Sequence, residues 1–409
     1  MNPKTLQSLG ILSIAEIMLL LGLLTSGTFA HAKPTPDAIA KSSQNNPLDL
    51  TKPDPLLPDP PKDGFLESPE REALAEALDE LNLEAAAQLE AGNTQAAFQI
   101  WNRELRLRRY LGPMEELVAL RRVGSTAWRQ EEITQLQIIT RRLETLEVEY
   151  CSAEESCELE FLTELAQGYE AVQARENAID AYKTILAEAQ TREDIETSTT
   201  LLNTIARFSL EALDYVEAAW AYERLLAIAD TQENQAEAIA HVQELTYIYS
   251  QGRQPEKAIA MRQRLVEFYS NAEDLRLVPA LKLAIGLDYE TLDRSDLALK
   301  NYQESYNLAW TLQQFYLARE ALVKLAGIYQ QIPQLDQALQ VYEALLIVDR
   351  RSSNLYGLMT TYLKLGQLHK TRENYPQAIA AFQKGLELSE QLNSTEYKSS
   401  FQTNIEELR

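Results

Sequence analysis

The sequence predicts an all-α solenoid of about eight antiparallel helix pairs. Three observations carry this. Only 14 of the 409 residues are glycine, while Ala, Leu, Glu and Gln, which lose little side-chain freedom in a helix, are abundant. Ala178, Ala218, Ala258, Ala298, Ala338 and Ala378 stand 40 residues apart without drift. Asp194, Asn234, Asp274, Asn354 and Ser394 keep the same period. All five are residue types whose side chains satisfy free N–H groups at a helix start.

The aromatics follow the alanines. Four residues after each alanine come Tyr182, Tyr222, Arg262, Tyr302, Tyr342 and Phe382; nine before come Tyr169, Ser209, Tyr249, Tyr289, Tyr329 and His369. A small residue marks a close approach of two helices, and large rings fill the space beside it. Gln314 interrupts the capping series. A second turn recurs inside each unit at Arg253-Gln254-Pro255, Asp293-Arg294-Ser295, Ile332-Pro333-Gln334 and Glu373-Asn374-Tyr375-Pro376. Proline there suits the first turn of the next helix. Each unit therefore reads as a first helix of about 17–19 residues and a second of about 15. Toward the N-terminus, Ala97 with Trp101 fits one more unit, and Trp128 with Gln137 a degenerate one. The array spans 70–393. A polar helix over 394–409 closes it, as the end of a stack requires.

The best unit, Tyr362-Leu363-Lys364-Leu365-Gly366-Gln367-Leu368-His369 followed by Ala378-Ile379-Ala380-Ala381-Phe382, resembles the tetratricopeptide repeat family. It matches that family's aromatic, Leu-Gly, small and aromatic positions. The period of 40 is longer than the family's usual one. Its terminal proline is replaced by Glu390, Arg350, Trp310 and Ser270. The resemblance implies a right-handed superhelical solenoid whose first helices line a groove for protein or peptide partners. Carried onto this register, the groove positions are Asn203, Arg207, Gln243, Tyr247, Leu287, Glu290, Gln367 and Lys370. The same residues also read as ordinary solvated helix surface.

Ahead of the array lie two further segments. Lys4, the apolar run Ile11–Leu24 and the small-residue ending Ala30-His31-Ala32 have the layout of a secretory signal peptide over 1–32, with an uncleaved N-terminal anchor as the alternative. Residues 33–69 hold most of the chain's 15 prolines and read as a disordered polyproline-type linker, either a tether or a docking strip for an aromatic groove. The chain is therefore expected in the periplasm or outside the cell, and at a membrane only if the N-terminal segment is retained.

A net charge of -23 disfavours nucleic acid and anionic lipid. Residues 70–145 are nearer neutral and carry the basic clusters Arg103–Arg109, Arg121–Arg122 and Arg141–Arg142. These read either as solvated helix faces with i,i+4 ion pairs or as an end that meets an acidic partner or the chain's own acidic half. Cys151 and Cys157 are too far apart to bond within one helix but can meet across a turn. In an oxidising compartment a disulfide stapling that turn is expected, worth roughly 2 kcal/mol, with free thiols or a redox switch as the alternatives. No catalytic constellation, metal-ligand spacing or cofactor motif is present: His241 and His369 stand apart, and no glycine-rich phosphate loop occurs. The pattern points to a non-enzymatic exported scaffold or assembly factor for protein or peptide partners. A self-assembling structural envelope protein and an enzyme subunit are the alternatives.

Overall fold

The computed structural model describes residues 46–50, 54–57, 61, 65–67, 69–151, 157–331 and 334–409. The expected signal segment at 1–32 lies outside them. Among the described residues there are 17 α-helices and no strand. In chain order they are α1 (Glu70–Glu90), α2 (Thr94–Arg108), α3 (Pro113–Arg129), α4 (Ile133–Tyr150), α5 (Leu159–Ala171), α6 (Arg175–Thr191), α7 (Ile195–Glu211), α8 (Tyr215–Thr231) and α9 (Gln235–Gln251). There follow α10 (Pro255–Asn271), α11 (Val278–Thr291), α12 (Ser295–Thr311), α13 (Phe315–Gln331), α14 (Leu335–Arg351), α15 (Leu355–Thr371), α16 (Tyr375–Gln391) and α17 (Thr395–Glu407). The chain divides into two compact units, one ending at Glu116 and one running Leu117–Arg409.

In the second unit the repeat is finer than the 40-residue period. From α6 onward nearly every helix, first or second of its pair, has 17 residues, so the expected inequality of about 17–19 against 15 is corrected. The cause is a uniform three-residue turn. Its middle residue is left-handed at Gln173, Glu193, Leu213, Glu233, Arg253, Glu273, Asp293, Gln313, Ser353, Glu373 and Asn393, with φ between 53° and 60°. At the turn after α6, Glu193 N–H donates to Gln190 O (3.1 Å) and Asp194 N–H to Ala189 O (2.9 Å), which is the Schellman closure. The Asp194 carbonyl then accepts the first bond of α7, from Ser198 N (3.0 Å). One residue thus ends one helix and begins the next. None of these left-handed residues is glycine, so each turn is held against a steric cost.

The sequence register maps onto burial. Ala178, Ala218, Ala258, Ala298, Ala338 and Ala378 are all fully buried. The close approach is tightest where glycine faces a ring: a Cβ on Gly286 would overlap the Tyr302 ring, and one on Gly366 the Phe382 ring. Tyr182 and Tyr302 keep their rings in the core and pass their hydroxyls outward to Glu170 (2.8 Å) and Glu290. Burial, then the carboxylate acceptor, pushes both phenols well above their ordinary range.

Two expectations on the capping series are corrected. Asp194, Asn234 and Asn354 do cap, accepting from the backbone N–H of Thr197, Glu237 and Gly357. Asp274 does not, because α11 starts late. A helix starting on register would put Pro279, which has no N–H and crowds the carbonyl four residues back, in its interior. The chain instead delays α11 to Val278, and Asp274 pairs with Arg276 (2.7 Å). Gln314, the gap in the capping series, donates its side-chain N–H to the Arg276 carbonyl exposed by this unwinding (2.8 Å). Ser394 makes no side-chain cap to α17.

Further corrections concern the N-terminal third. The left-handed residues before α2, α4 and α6 are Gly92, Glu131 and Gln173, so the spacing departs from 40 on both sides of α4. The core position assigned to Gln137 belongs to Leu136, which is buried, while Gln137 is exposed. Ala127 is buried in place of Trp128, which is 48% exposed. The proline-rich segment is not wholly a linker. In the first unit Leu48, Asp54 and Leu66 are buried, and Leu66 joins the core of Leu74, Leu78, Leu81, Leu107 and Leu111. Asp54 accepts from Arg103 (2.8 and 2.7 Å) and Arg106 (2.9 Å), so part of the basic cluster holds this segment. Cys151 and Cys157 are joined, with Cα atoms 4.5 Å apart.

Two outcomes check this account. Leu213→Gly is expected to raise stability by about 1 kcal/mol by relieving left-handed backbone, and Gly366→Ala to lower it by about 1–3 kcal/mol through overlap with Phe382; denaturant titration reads both. The Arg103 hydrogen bond holds the Asp54 carboxyl at about 2, below its ordinary 3.8. A depressed carboxylate contributes stability above its unfolded value, lost as pH falls through the folded one. Limited proteolysis of segment 46–57 is therefore expected to rise between pH 4 and 2, and Asp54→Asn to show the same sensitivity already at pH 7.

Candidate partner-binding groove

On a helix, residues i, i+4, i+7 and i+11 share one face. Equal helices and turns repeat that face from unit to unit. The first helices of successive pairs are neighbours, as their cross-links show. Glu170 pairs with Arg207 (3.0 Å, α5 to α7), Glu290 with Lys324 (3.3 Å, α11 to α13) and Lys370 with Glu407 (2.6 Å, α15 to α17). The hydroxyls of Tyr356 and Tyr397 meet at 3.2 Å between α15 and α17.

The face so formed is uncharged over most of its length. On α9 it presents Ala236, Ala240, Gln243 and Tyr247, and on α11 Ala280, Leu283 and Leu287. On α13 it presents Tyr316, Glu320, Val323 and Gly327, and on α15 Tyr356, Thr360, Leu363 and Gln367. Glu320 is its one charged residue within these helices, and it lies 3.7 Å from Arg319. Several of the apolar side chains stand in water: Tyr316 is 73% exposed, Tyr356 57% and Val323 40%. The matching stripes on the second helices α10, α12, α14 and α16 carry Glu256, Glu267, Asp296, Lys300, Asp336, Glu343 and Glu387. Charge is therefore concentrated on the second-helix stripe, where Ile347 is the exposed large apolar residue (50%), while the first-helix stripe is nearly uncharged and exposes several. The apolar stripe begins at α9, because α7 presents Glu196, Thr200, Asn203 and Arg207.

Basic side chains are drawn into ladders between units. Lys183–Glu217 (2.7 Å), Lys257–Glu223 (3.3 Å) and Arg264–Asp230 link second helices of successive pairs. Exposed pairs of this kind are worth about 0–1 kcal/mol each. Arg262 replaces a core tyrosine of the register and pairs with Asp288, both largely buried, while its other amino group donates to Ser250 Oγ (2.8 Å). Burial pushes the Asp288 carboxyl up against the pull of Arg262. Here the apolar core is divided into a block from Ala218 to Leu265 and another from Ala298 to Ala381.

Beside this break lies a pocket of about 300 Å³, lined by Gln243, Thr246, Leu265, Tyr269, Leu277, Ala280 and Leu281. It opens where α11 is unwound ahead of Pro279. Its rim polar groups, the Gln243 amide and the Tyr269 hydroxyl, hydrogen-bond to each other (3.1 Å).

Of the eight groove residues expected from sequence, Asn203, Arg207, Gln243, Tyr247, Leu287 and Gln367 stand on the stripe. Arg207 is held by Glu170 and Glu211, and Asn203 donates to Thr199 O (2.9 Å) on its own helix. Glu290 and Lys370 flank the stripe and are occupied, Glu290 by Tyr302 and Lys324, Lys370 by Glu407. Tyr316, Val323, Tyr356 and Leu363 were missed. The signal was available: Gln243 stepped by 80 and 120 residues lands on Val323 and Leu363.

The histidines do not converge. His241 packs on Tyr222 (ring centroids 5.9 Å). His369 is half-buried, and burial holds its pKa below the ordinary value. Among the described residues no group of three or more His, Cys, Asp or Glu could hold a metal ion.

The family model of the tetratricopeptide repeat matches residues 317–391. Among solved structures, the MamA protein is 20% identical over 48% of this chain and 95% of its own, with a TM-score of 0.34. BtubC from P. vanneervenii is 16% identical over 55% and 94%, at 0.35, and RapI in its apo form 16% identical over 70% and 79%, at 0.40. No curated protein matches the chain.

The Arg262–Asp288 pair supplies the test of the break in the core. Arg262→Met, which leaves a buried carboxylate unpaired, is expected to cost about 3 kcal/mol. Adding Asp288→Asn should restore part of that loss in a double-mutant cycle by denaturant melts. Equal, additive losses would place no coupling between them.

Proposed function

We propose that this chain, which carries tetratricopeptide repeats over residues 317–391, is an exported, non-enzymatic scaffold that holds a protein or peptide partner against the first helices α9 to α15. The observation that carries the reading is the exposed, nearly uncharged stripe on those helices in a chain of net charge -23. A solvated solenoid has no need of Tyr316, Val323, Leu287 and Tyr356 in water on one layer. Covering such side chains stabilises a complex by about 1.5–3 kcal/mol each. Association itself costs about 4–15 kcal/mol, so binding in the micromolar range, about 8 kcal/mol, takes the anchors of the stripe acting together.

Export rests on the N-terminal pattern: the apolar run Ile11–Leu24 followed by Ala30-His31-Ala32. The Cys151–Cys157 bond suits an oxidising compartment. No helix among the described residues is long and apolar enough to cross a membrane. A scaffolding role without catalysis is favoured by the dispersal of titratable groups: the buried ones pair inside the fold, as Asp349 does with Arg319 (3.0 Å), Thr361 (3.1 Å) and Asn354 (3.1 Å).

The test is affinity capture from an envelope extract with the full chain. A Leu287→Lys/Val323→Lys pair is expected to lose the captured partner. A Gln340→Lys/Gln383→Lys pair on the second helices, carrying the same added charge, should keep it. Equal recovery by both would remove the groove from the account. N-terminal sequencing of the exported protein should begin at Lys33.

A further inference from the structure

The groove reading leaves its partner's chemistry open, and α9 narrows it. The pocket on the α11 side of α9 has a wholly apolar floor, including Leu265, Leu277, Ala280 and Leu281. No charged side chain lines it, and its two rim polar groups satisfy each other. Its volume of about 300 Å³ sits at the bottom of the range for small-molecule sites, roughly 300–1,000 Å³. An open, apolar recess of that size takes one side chain.

The opposite flank of α9 carries a different feature. Glu244 is half-buried, and burial alone pushes its carboxyl up. Helix α9 contains no lysine or arginine, and the bases on the helices around it are committed elsewhere: Arg207 to Glu170 and Glu211, Arg224 to the Trp220 carbonyl, Lys257 to Glu223, Arg262 to Asp288 and Arg264 to Asp230. Two tyrosines lie near enough to sense the Glu244 charge. Burial and then Glu244 raise Tyr222 to about 12. Burial, Tyr215 and Glu244, in that order, raise Tyr247. A half-buried carboxylate without a cation carries a desolvation cost that an incoming cation would remove.

The two features flank one helix. Packed helices lie about 8–10 Å apart, and an extended chain advances about 3.3 Å per residue, so two to three residues of extended peptide span them. Resting on the groove reading above, we propose that the partner presents an extended segment with one large apolar side chain in the pocket between α9, α10 and α11 and a lysine or arginine two or three positions away against Glu244. Charge complementarity selects this occupant. An acidic peptide would bring like charge to Glu244 and find no uncommitted lysine or arginine on α9 or α10 to receive it.

The test is a synthetic peptide array probed with the full chain. Each peptide is a neutral Gly/Ser background carrying every pair of residues at separations of one to five. Signal is expected to concentrate on Leu, Phe or Met combined with Lys or Arg at separations of two and three. Glu244→Gln, nearly isosteric, should reduce the preference for Lys or Arg over Gln about tenfold while keeping the apolar preference. Ala280→Trp, at an exposed pocket position, should abolish the apolar preference and leave the basic one. Unchanged thermal melts of both variants guard against a folding artefact. An array without signal, a preference for acidic peptides, or selectivity unmoved by either variant would overturn the proposal. If array binding falls with Leu287→Lys/Val323→Lys yet ignores Glu244→Gln and Ala280→Trp, the two subsites are wrong and the groove stands. If it ignores all of them, the groove reading fails as well.

Discussion

The second unit depends on a turn that gives the backbone no slack. At most of its described junctions a left-handed residue closes one helix and the residue after it opens the next. Asp194 shows both roles: its N–H reaches back to Ala189 and its carbonyl and side chain reach forward to Ser198 and Thr197. At these three-residue junctions no residue is left over to absorb a change in length. Each helix is therefore set in rotation as well as direction by the one before it. The steric cost of left-handed Glu, Leu, Arg or Gln is borne by the packing that the turn makes possible: buried alanines at the approach of each pair and rings filling the space beside them.

From that constraint the candidate site follows. A stripe on one first helix is repeated on the next only because the turns are equal. Ion pairs between residues 34 or 37 positions apart then tie neighbouring helices and occupy many of the basic side chains. Among what remains exposed, the second-helix stripes from α10 to α16 are the more charged and the first-helix stripes from α9 to α15 nearly uncharged. The junction before Pro279, where the turn is followed by a late helix start, is also where the pocket opens and the buried Arg262–Asp288 pair divides the core. Irregularity and candidate binding surface coincide at α9 to α11.

Much of this was legible in the residues. The alanine register, the core tyrosines, the pairing of helices and the closing helix at Thr395–Glu407 all follow from a 40-residue period. The 20-residue half-period was hidden, because first and second helices carry different side chains and the left-handed positions lack the glycine that would mark them. Register in α3 and α4 was misread for a related reason: spacing there departs from 40, so Gln137 and Trp128 fell on the surface while Leu136 and Ala127 took the core. The docking of Asp54 on Arg103 and Arg106 could not be read from a proline-rich segment, since that contact joins residues about 50 positions apart and has no periodic signature. Groove residues carried over by resemblance favoured side chains that the fold had already engaged, such as Arg207 and Lys370. The exposed apolar ones emerged only once burial was known.

Hydrogen exchange of the full chain, with and without a captured partner, tests the central claim most directly. Protection concentrated in α9, α11, α13 and α15, strongest at the junction of α9 with α11, is the result this account predicts. Protection centred on the second helices α10, α12, α14 and α16, or spread evenly over both layers, would contradict it.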